Sequence, residues 1–394
     1  MKIKSGEFIT ISACTMALTA LGIDVMLPAF SELRKHFGLP HDSTETAKIV
    51  SFFFLGQVSQ LLFGVLSDRY GRLPVLRIGF PLYIIGGVAA AFAPSLPLML
   101  AARFVAGMGA SCVLMTTVAG VRDRYVGNEM ARIMSLIFTI FLFTPVIAPF
   151  LGMAILSVSS WQMVFLSAPV FAVIVFVWSF RLSESLPKEK RVPMDLQSTL
   201  RSIKTVVSNR SFLRFTAITT FLFAGLSSYV ATSEHIVGDM YKQPHLFPWI
   251  FGTIGLLMAC FTLMNARYAA RFGAYRIIKF LMIAYTIVSA SLLLMIIVIG
   301  DPPPMPLFFI AIALLLGINL AIEPNCSALA LEPMGESAGV AAAIYGTSFF
   351  VVGSTIGAVV SERLHTSLLP LGLCFSVLSV LSLILVIRNA PQKQ

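Results

Sequence analysis

Charge is what this sequence is short of. Of its 394 residues only 12% are Asp, Glu, Lys or Arg, against 57% hydrophobic, where a soluble chain carries about a quarter charged residues. Two or three water-soluble domains would fit the length, but their surfaces could not be covered with so little charge. In a bilayer apolar surface is favourable and charge is costly, so the composition is that of an integral membrane protein. Histidine and cysteine are scarce too, five of each. His36, His41, His235, His245 and His365 stand isolated, which excludes an intramembrane metal centre. Cys14, Cys112, Cys260, Cys326 and Cys374 lie in apolar stretches. None forms a C-x-x-C pair or sits near a His at ligand spacing, so they read as packing residues, with no metal and no disulfide framework. There is no P-loop, so ATP is not the energy source.

The charge that is present has a pattern. The net charge is +10, but the basic residues fall in short gaps between apolar runs. They are not interleaved with aromatics as a nucleic-acid groove requires, so no nucleic-acid partner is expected. Lys2 and Lys4 precede an apolar run from Ile9 to Phe30. That run is of spanning length, longer than a signal-peptide core, and no cleavage motif follows, so it reads as a retained first span.

A spanning helix needs about 20 mostly apolar residues. Twelve such runs are expected at 8–30, 47–66, 74–94, 98–119, 132–154, 162–181, 213–236, 247–264, 276–299, 306–329, 338–360 and 369–387. The one long polar gap begins SESLPKEKR and divides the chain into an N-terminal six-helix bundle (1–181), a linker (182–212) and a C-terminal six-helix bundle (213–394). With the N-terminus in the cytoplasm, only Arg34, Lys35, Lys48, Lys242 and Arg363 of the 28 Lys and Arg fall on the far side, and Arg103 lies inside a span. The positive-inside rule therefore places both termini and the linker in the cytoplasm. The expected fold is all-α: twelve transmembrane helices in two pseudo-symmetric bundles, with a site between them at mid-membrane depth. A weak internal echo agrees: GVLSDRYGRLPVLR after the second run and NARYAARFGAYR after the eighth both set arginines around a glycine.

In Gly64-Val-Leu-Ser-Asp68-Arg69-Tyr-Gly71-Arg72 the glycines allow a sharp turn. Asp68 can pair with Arg69 or Arg72, or sit at a helix N-terminus. Such a string is either an ordinary topogenic arginine turn or a dedicated device. It closely resembles the loop 2–3 signature of the major facilitator superfamily, where it latches the cytoplasmic side; Leu73 stands where the family usually has a second basic residue. Further fragments resemble the Bcr/CflA subfamily of drug:proton antiporters. They are Ile23-Asp24-Val25-Met26-Leu27-Pro28-Ala29, Arg103-x-x-x-Gly107-x-Gly109-Ala110 with Ala106 for the usual Gln, and Val121-Arg122-Asp123-Arg124 with Ala131-Arg132. Pro145-x-x-Ala148-Pro149-x-x-Gly152 is similar to the fifth-helix antiporter motif, with Met153 where a second Gly is common. Pro324-Asn325 and Ala338-Gly339-Val340-Ala341-Ala342 also fit.

An ionisable residue inside a span is a functional candidate by default. Asp24 lies deep in the first run beside the backbone kinked by Pro28. It is either a carboxylate that loads and releases a proton or a structural partner of Arg103 or a hydroxyl. Arg103 keeps its proton; it either switches as a carboxylate changes charge or only orients helices. Glu323 precedes Pro324, which frees backbone carbonyls nearby. The subfamily motif covers Pro324-Asn325 and not Glu323, which is thus a substrate contact, a second proton site or a structural acid. Glu234 and His235 fall near the outer end of the seventh run, where water can reach them. They form either an interfacial pair or a proton site at the mouth. Phe52, Phe53, Phe54, Tyr229, Tyr285 and Tyr345 are candidates to line a cavity.

The resemblance implies a monomeric bacterial inner-membrane transporter, not an enzyme. It would work by alternating access, with no cofactor beyond the proton gradient. Its partners would be a small-molecule substrate, protons and membrane lipid. The implied activity is proton-coupled efflux of amphipathic organic compounds or drugs; a dedicated metabolite or siderophore exporter on the same scaffold is the alternative.

Overall fold

The computed structural model describes residues 5–191 and 196–388. Lys2 and Lys4, the middle of the expected linker at 192–195 and the tail from 389 lie outside them. The described residues form helices and turns with no strand, and twelve helical segments are long and apolar enough to cross a membrane. The first six are α1 (Ser5–His36), α2 (Glu45–Tyr70), α3 (Arg72–Ala91), α4 (Leu96–Arg124), α5 (Arg132–Val158) and α6 (Trp161–Ser179). The second six are α7 (Arg210–Met240), α8 (Pro244–Ala269), α9 (Ala274–Val298), α10 (Met305–Gly335), α11 (Ala338–Ser361) and α12 (Leu369–Ile387). All twelve expected spans are present, because length and apolarity suffice to define them.

The chain forms two compact units, each with six spans. The division falls at Thr199/Leu200, inside the stretch expected as linker, and the short segment His41–Ala47 groups with the second unit. Helices in lipid gain nothing from hiding apolar side chains from one another, so they associate through small residues that let backbones approach. In the first unit Gly107 of α4 lies against the Phe53 carbonyl of α2, while Gly56 of α2 lies against the Phe104 carbonyl of α4, with no room for a Cβ at either. In the second unit polar side chains supplement this packing. Ser289 of α9 and Ser379 of α12 share a 2.9 Å hydrogen bond. Asn319 of α10 donates to the Leu222 carbonyl of α7 at 2.8 Å, and Asn325 donates to Asn265 of α8 at 2.8 Å. Exposed Ile283, Ile287, Leu294 and Ile297 run along α9, the stripe expected of a lipid-facing surface.

Several spans are broken, each for a local reason. In α1 the α-helix ends at Asp24, and Pro28 opens a 3-10 turn at Leu27–Ala29 before the helix resumes at Phe30. Proline has no N–H to continue the ladder, which forces the interruption. In α7 and α11 the winding widens into single π-turns at Ile236–Met240 and Ser348–Val352. The internal echo has a backbone counterpart. Gly71 joins α2 to α3 at φ 104°, and Gly273 joins α8 to α9 at φ 84°, a conformation that L side chains rarely adopt.

Gly107→Val should lower the thermal unfolding midpoint of the purified protein, since overpacking a closed contact costs about 1–3 kcal/mol or more. Gly339→Val, where a Cβ meets nothing within 4 Å, should leave the midpoint nearly unchanged. Equal midpoints for the two variants would contradict the close approach of α2 and α4.

Candidate functional site

The break in α1 creates the polar centre of the first unit. In an unbroken helix the Gly22 carbonyl would accept from Met26 N–H, but that donor turns to the Ile23 carbonyl instead, at 3.3 Å. A carbonyl released inside a membrane needs a partner from elsewhere. Arg103 of α4 supplies it, its Nη2 donating to the Gly22 oxygen. The guanidinium also lies over the Phe53 ring, 4.5 Å from the centroid, so a cation only 3% exposed is held by a carbonyl and a π-face. Tyr83 of α3 donates to the Leu18 carbonyl of α1 at 2.7 Å, one turn earlier.

Asp24 stands at the end of the same helical stretch, 6% exposed. Among the described residues its carboxyl makes no hydrogen bond or ion pair, and Arg103 is not salt-bridged to it. The antiporter-motif residue Gly152 of α5 packs on this break. A Cβ there would collide with the Val25 carbonyl and approach Pro28 Cγ to 3.2 Å. Pro145 and Pro149 lie within the same α5 helix. Asp24, Arg103 and Gly152 therefore converge on one break in one helix.

The turn Gly64–Arg72 belongs to a second network in the first unit. Asp68 pairs with Arg72 (2.5 Å), not with Arg69, whose guanidinium lies 5.2 Å from the Tyr70 ring centroid. Arg72 continues to Asp123 at the end of α4, at 2.8 Å. Asp123 also accepts from Ser185 at 2.9 Å. Glu184, from the start of the linker, accepts the backbone N–H groups of Arg72 (3.0 Å) and Leu73 (3.1 Å). It therefore caps α3, whose first amides have no helical partner.

The model of the Major Facilitator Superfamily matches residues 12–358. The chain belongs to the major facilitator superfamily. Relatives along nearly the whole chain include the transporter YdgK of Bacillus subtilis, 27% identical over 92% of this chain and 90% of that one. A bicyclomycin resistance protein homolog of Haemophilus influenzae is 26% identical over 93% and 92%. Among solved structures, the xylose transporter XylE of E. coli superposes with a TM-score of 0.76 at 13% identity, covering 99% of each chain. This is a multi-pass membrane transporter for small molecules, not an enzyme, and its family requires no cofactor.

The other charges expected to matter belong to the second unit of this major facilitator protein. Glu234 and His235 on α7 do not face water as expected: they are 7% and 4% exposed. Both ring nitrogens of His235 are engaged. Nδ1 lies 2.8 Å from Asp239, one turn on in the π-turn, and Nε2 lies 2.9 Å from the His365 carbonyl. Asp239 also receives His41, at 3.2 Å. Glu323 is half-buried on α10, and Tyr345 of α11 donates to its Oε1 at 3.2 Å. Of the other candidate aromatics, Tyr229 and Tyr285 are fully buried packing residues. Glu184, Tyr83 and Asp239 were not singled out from the sequence. Only Asp239 left a signal there, the four-residue spacing from His235.

Removing the cap on α3 should destabilise the first unit. Glu184→Ala should cost about 0.5–2 kcal/mol, the usual range for a lost N-cap, read as a lower unfolding midpoint. Asp123→Asn should cost less, because Arg72 keeps Asp68. The double variant should fall short of the sum, since both acids meet at Arg72; strict additivity would show that the network is not coupled.

Proposed function

We propose that this protein exports small amphipathic organic compounds, drugs among them, across the bacterial inner membrane in exchange for protons. The carrying observation is Asp24, a carboxyl buried at a helix break with no partner among the described residues. Such a group is stable when it holds a proton or a ligand and costly when it holds neither. The same carboxyl therefore accepts proton or substrate, and one displaces the other as the site is exposed alternately to the two sides.

Arg103 makes the exchange sensitive to charge. Its guanidinium rests on the Gly22 carbonyl, two residues from Asp24 on the same stretch. When Asp24 ionises, the carboxylate competes with that carbonyl for the cation, since opposite charges attract far more strongly in a low-dielectric interior than a charge attracts a carbonyl dipole. Gly152 lets α5 follow the break, and the Asp68–Arg72–Asp123 network acts as the cytoplasmic latch. The bicyclomycin resistance homolog supports efflux, and the Lys and Arg distribution supports cytoplasmic termini and linker. The transporter works as a monomer surrounded by lipid. Glu323, which lies outside the subfamily motif, favours a second reading: a dedicated exporter of one metabolite or siderophore. A broad drug panel separates the two, because resistance to no compound on overexpression favours the dedicated route.

Asp24→Asn should abolish export driven by a pH gradient in membrane vesicles, a loss of about 100-fold or more for a group essential to proton transfer. Its unfolding midpoint should stay near wild type. A gradient-driven, active Asp24→Asn protein would overturn the coupling assignment.

A further inference from the structure

One helix of the chain lies outside the twelve spans. It runs over Leu196–Ser208 in the linker stretch. Its 13 residues make a rod of about 20 Å, too short for a hydrocarbon core of about 30 Å. Only Asn209 separates it from α7. That residue is extended (φ −81°, ψ 115°) and caps the span, its side chain accepting from Phe212 N–H at 2.9 Å. A single non-helical residue redirects the chain while advancing it by about 4 Å. The linker helix therefore ends at the mouth of a span, where the bilayer surface begins.

The helix has two unlike sides. Leu200, Ile203 and Val207 recur at i, i+3 and i+7 and so share one side. Val206, on one flank of that stripe, is fully buried, and Ile203 is half-buried. Leu200 and Val207 are 55% and 43% exposed. The helix is thus seated along one edge, and the rest of its apolar stripe is uncovered. Lys204 takes the other flank, and Arg201 and Thr205 the far side. Arg201, Lys204 and, at the start of α7, Arg210 are exposed. None of these three cations forms an ion pair among the described residues. No Asp or Glu stands between Leu196 and Arg214.

Unpaired cations beside an apolar stripe are the pattern of a helix lying in the plane of a membrane surface. A polyanion in water would engage the cations and leave Leu200 and Val207 bare. An apolar protein groove would cover those two and leave the cations unmet. An anionic lipid surface serves both, with acyl chains for the stripe and phosphates that draw Lys and Arg. We propose that the helix Leu196–Ser208 is an interfacial anchor that docks on anionic phospholipid. Leu200 and Val207 enter the acyl boundary, and Arg201, Lys204 and Arg210 meet the headgroups.

Nitroxide labels on Leu200→Cys and, from the opposite side, on Thr205→Cys test this in the full-length protein. Cys14 and Cys260, the native cysteines that are not buried, are first changed to Ser. Each variant is reconstituted in vesicles of phosphatidylcholine alone, and of equal parts phosphatidylcholine and phosphatidylglycerol. Oxygen, which concentrates among acyl chains, and a nickel chelate, which stays in water, report where each label sits. In the anionic vesicles the label at 200 should favour oxygen and the label at 205 the chelate. Removing phosphatidylglycerol should lower the oxygen-to-nickel ratio at 200 by about twofold or more. Arg201→Gln with Lys204→Gln should do the same in the anionic vesicles. Should that double variant fail to fold, salt replaces it. About 1 M salt shortens the Debye length to about 3 Å and should produce the same fall. Aqueous values at both positions, or a label at 200 shielded from both reagents by protein, would overturn the docking. Equal ratios in the two lipids would overturn the anionic preference and the proposal with it. The labels need neither gradient nor substrate, so a failure of export in the same vesicles bears on the Asp24 assignment alone.

Discussion

A hydrogen-bonding group released inside a bilayer has no water to turn to, and the break at Pro28 releases one. The Gly22 carbonyl loses its helical donor because Met26 N–H turns to Ile23. From that deficit the polar centre of the first unit follows. Arg103 must cross from α4 to satisfy the carbonyl, Phe53 must lie beneath the guanidinium, and α5 must carry a glycine at 152 to stay packed on the displaced backbone. Among the described residues Asp24 is then left without a partner, because Arg103 is engaged by the Gly22 carbonyl. A direct Asp24–Arg103 salt bridge would have been a resting structural pair, costly to break. A carboxyl without such a pair needs only a proton or a ligand to be compensated.

The same accounting of orphan groups explains the network at the linker end of the first unit. Gly71 turns the chain at φ 104°, and α3, like any helix, begins with its first amides unpartnered. Glu184 arrives from a distant part of the sequence to accept two of them. The turn between α2 and α3 is thereby tied to the end of α4 and to the start of the linker through Arg72, Asp123 and Ser185. The turn alone would offer only the Asp68–Arg72 pair; with Asp123 and Glu184 it is bonded to two further elements.

How much of this was legible in the sequence depended on whether the signal was local. The twelve spans were readable because length and apolarity are properties of contiguous residues, and the family motifs because their spacing is fixed. Asp24 and Arg103 could be singled out as charges in the wrong solvent. Their relation could not, because the partner of Arg103 is a backbone carbonyl and every residue has one. Glu184 was hidden for a similar reason: a Glu in a charged linker carries no mark that it caps a helix more than a hundred residues earlier. The exposure of Glu234 and His235 was misjudged because position near the end of a span suggested water. The burial of His235 comes instead from Asp239 and the His365 carbonyl, one a turn away and the other on a different segment.

The two units share a scaffold and differ in how they balance charge. Gly71 and Gly273 adopt the same unusual conformation at equivalent turns, so the repeat persists where the backbone demands it. The membrane-embedded charges do not repeat. The first unit places Asp24 at a helix break where Arg103 is held by the Gly22 carbonyl and the Phe53 ring. The second unit places Glu323 beside Tyr345, and among the described residues no Lys, Arg or His forms an ion pair with it. A buried acid without an ion-pair partner is balanced only when something positive meets it, and the two units set such an acid in different surroundings.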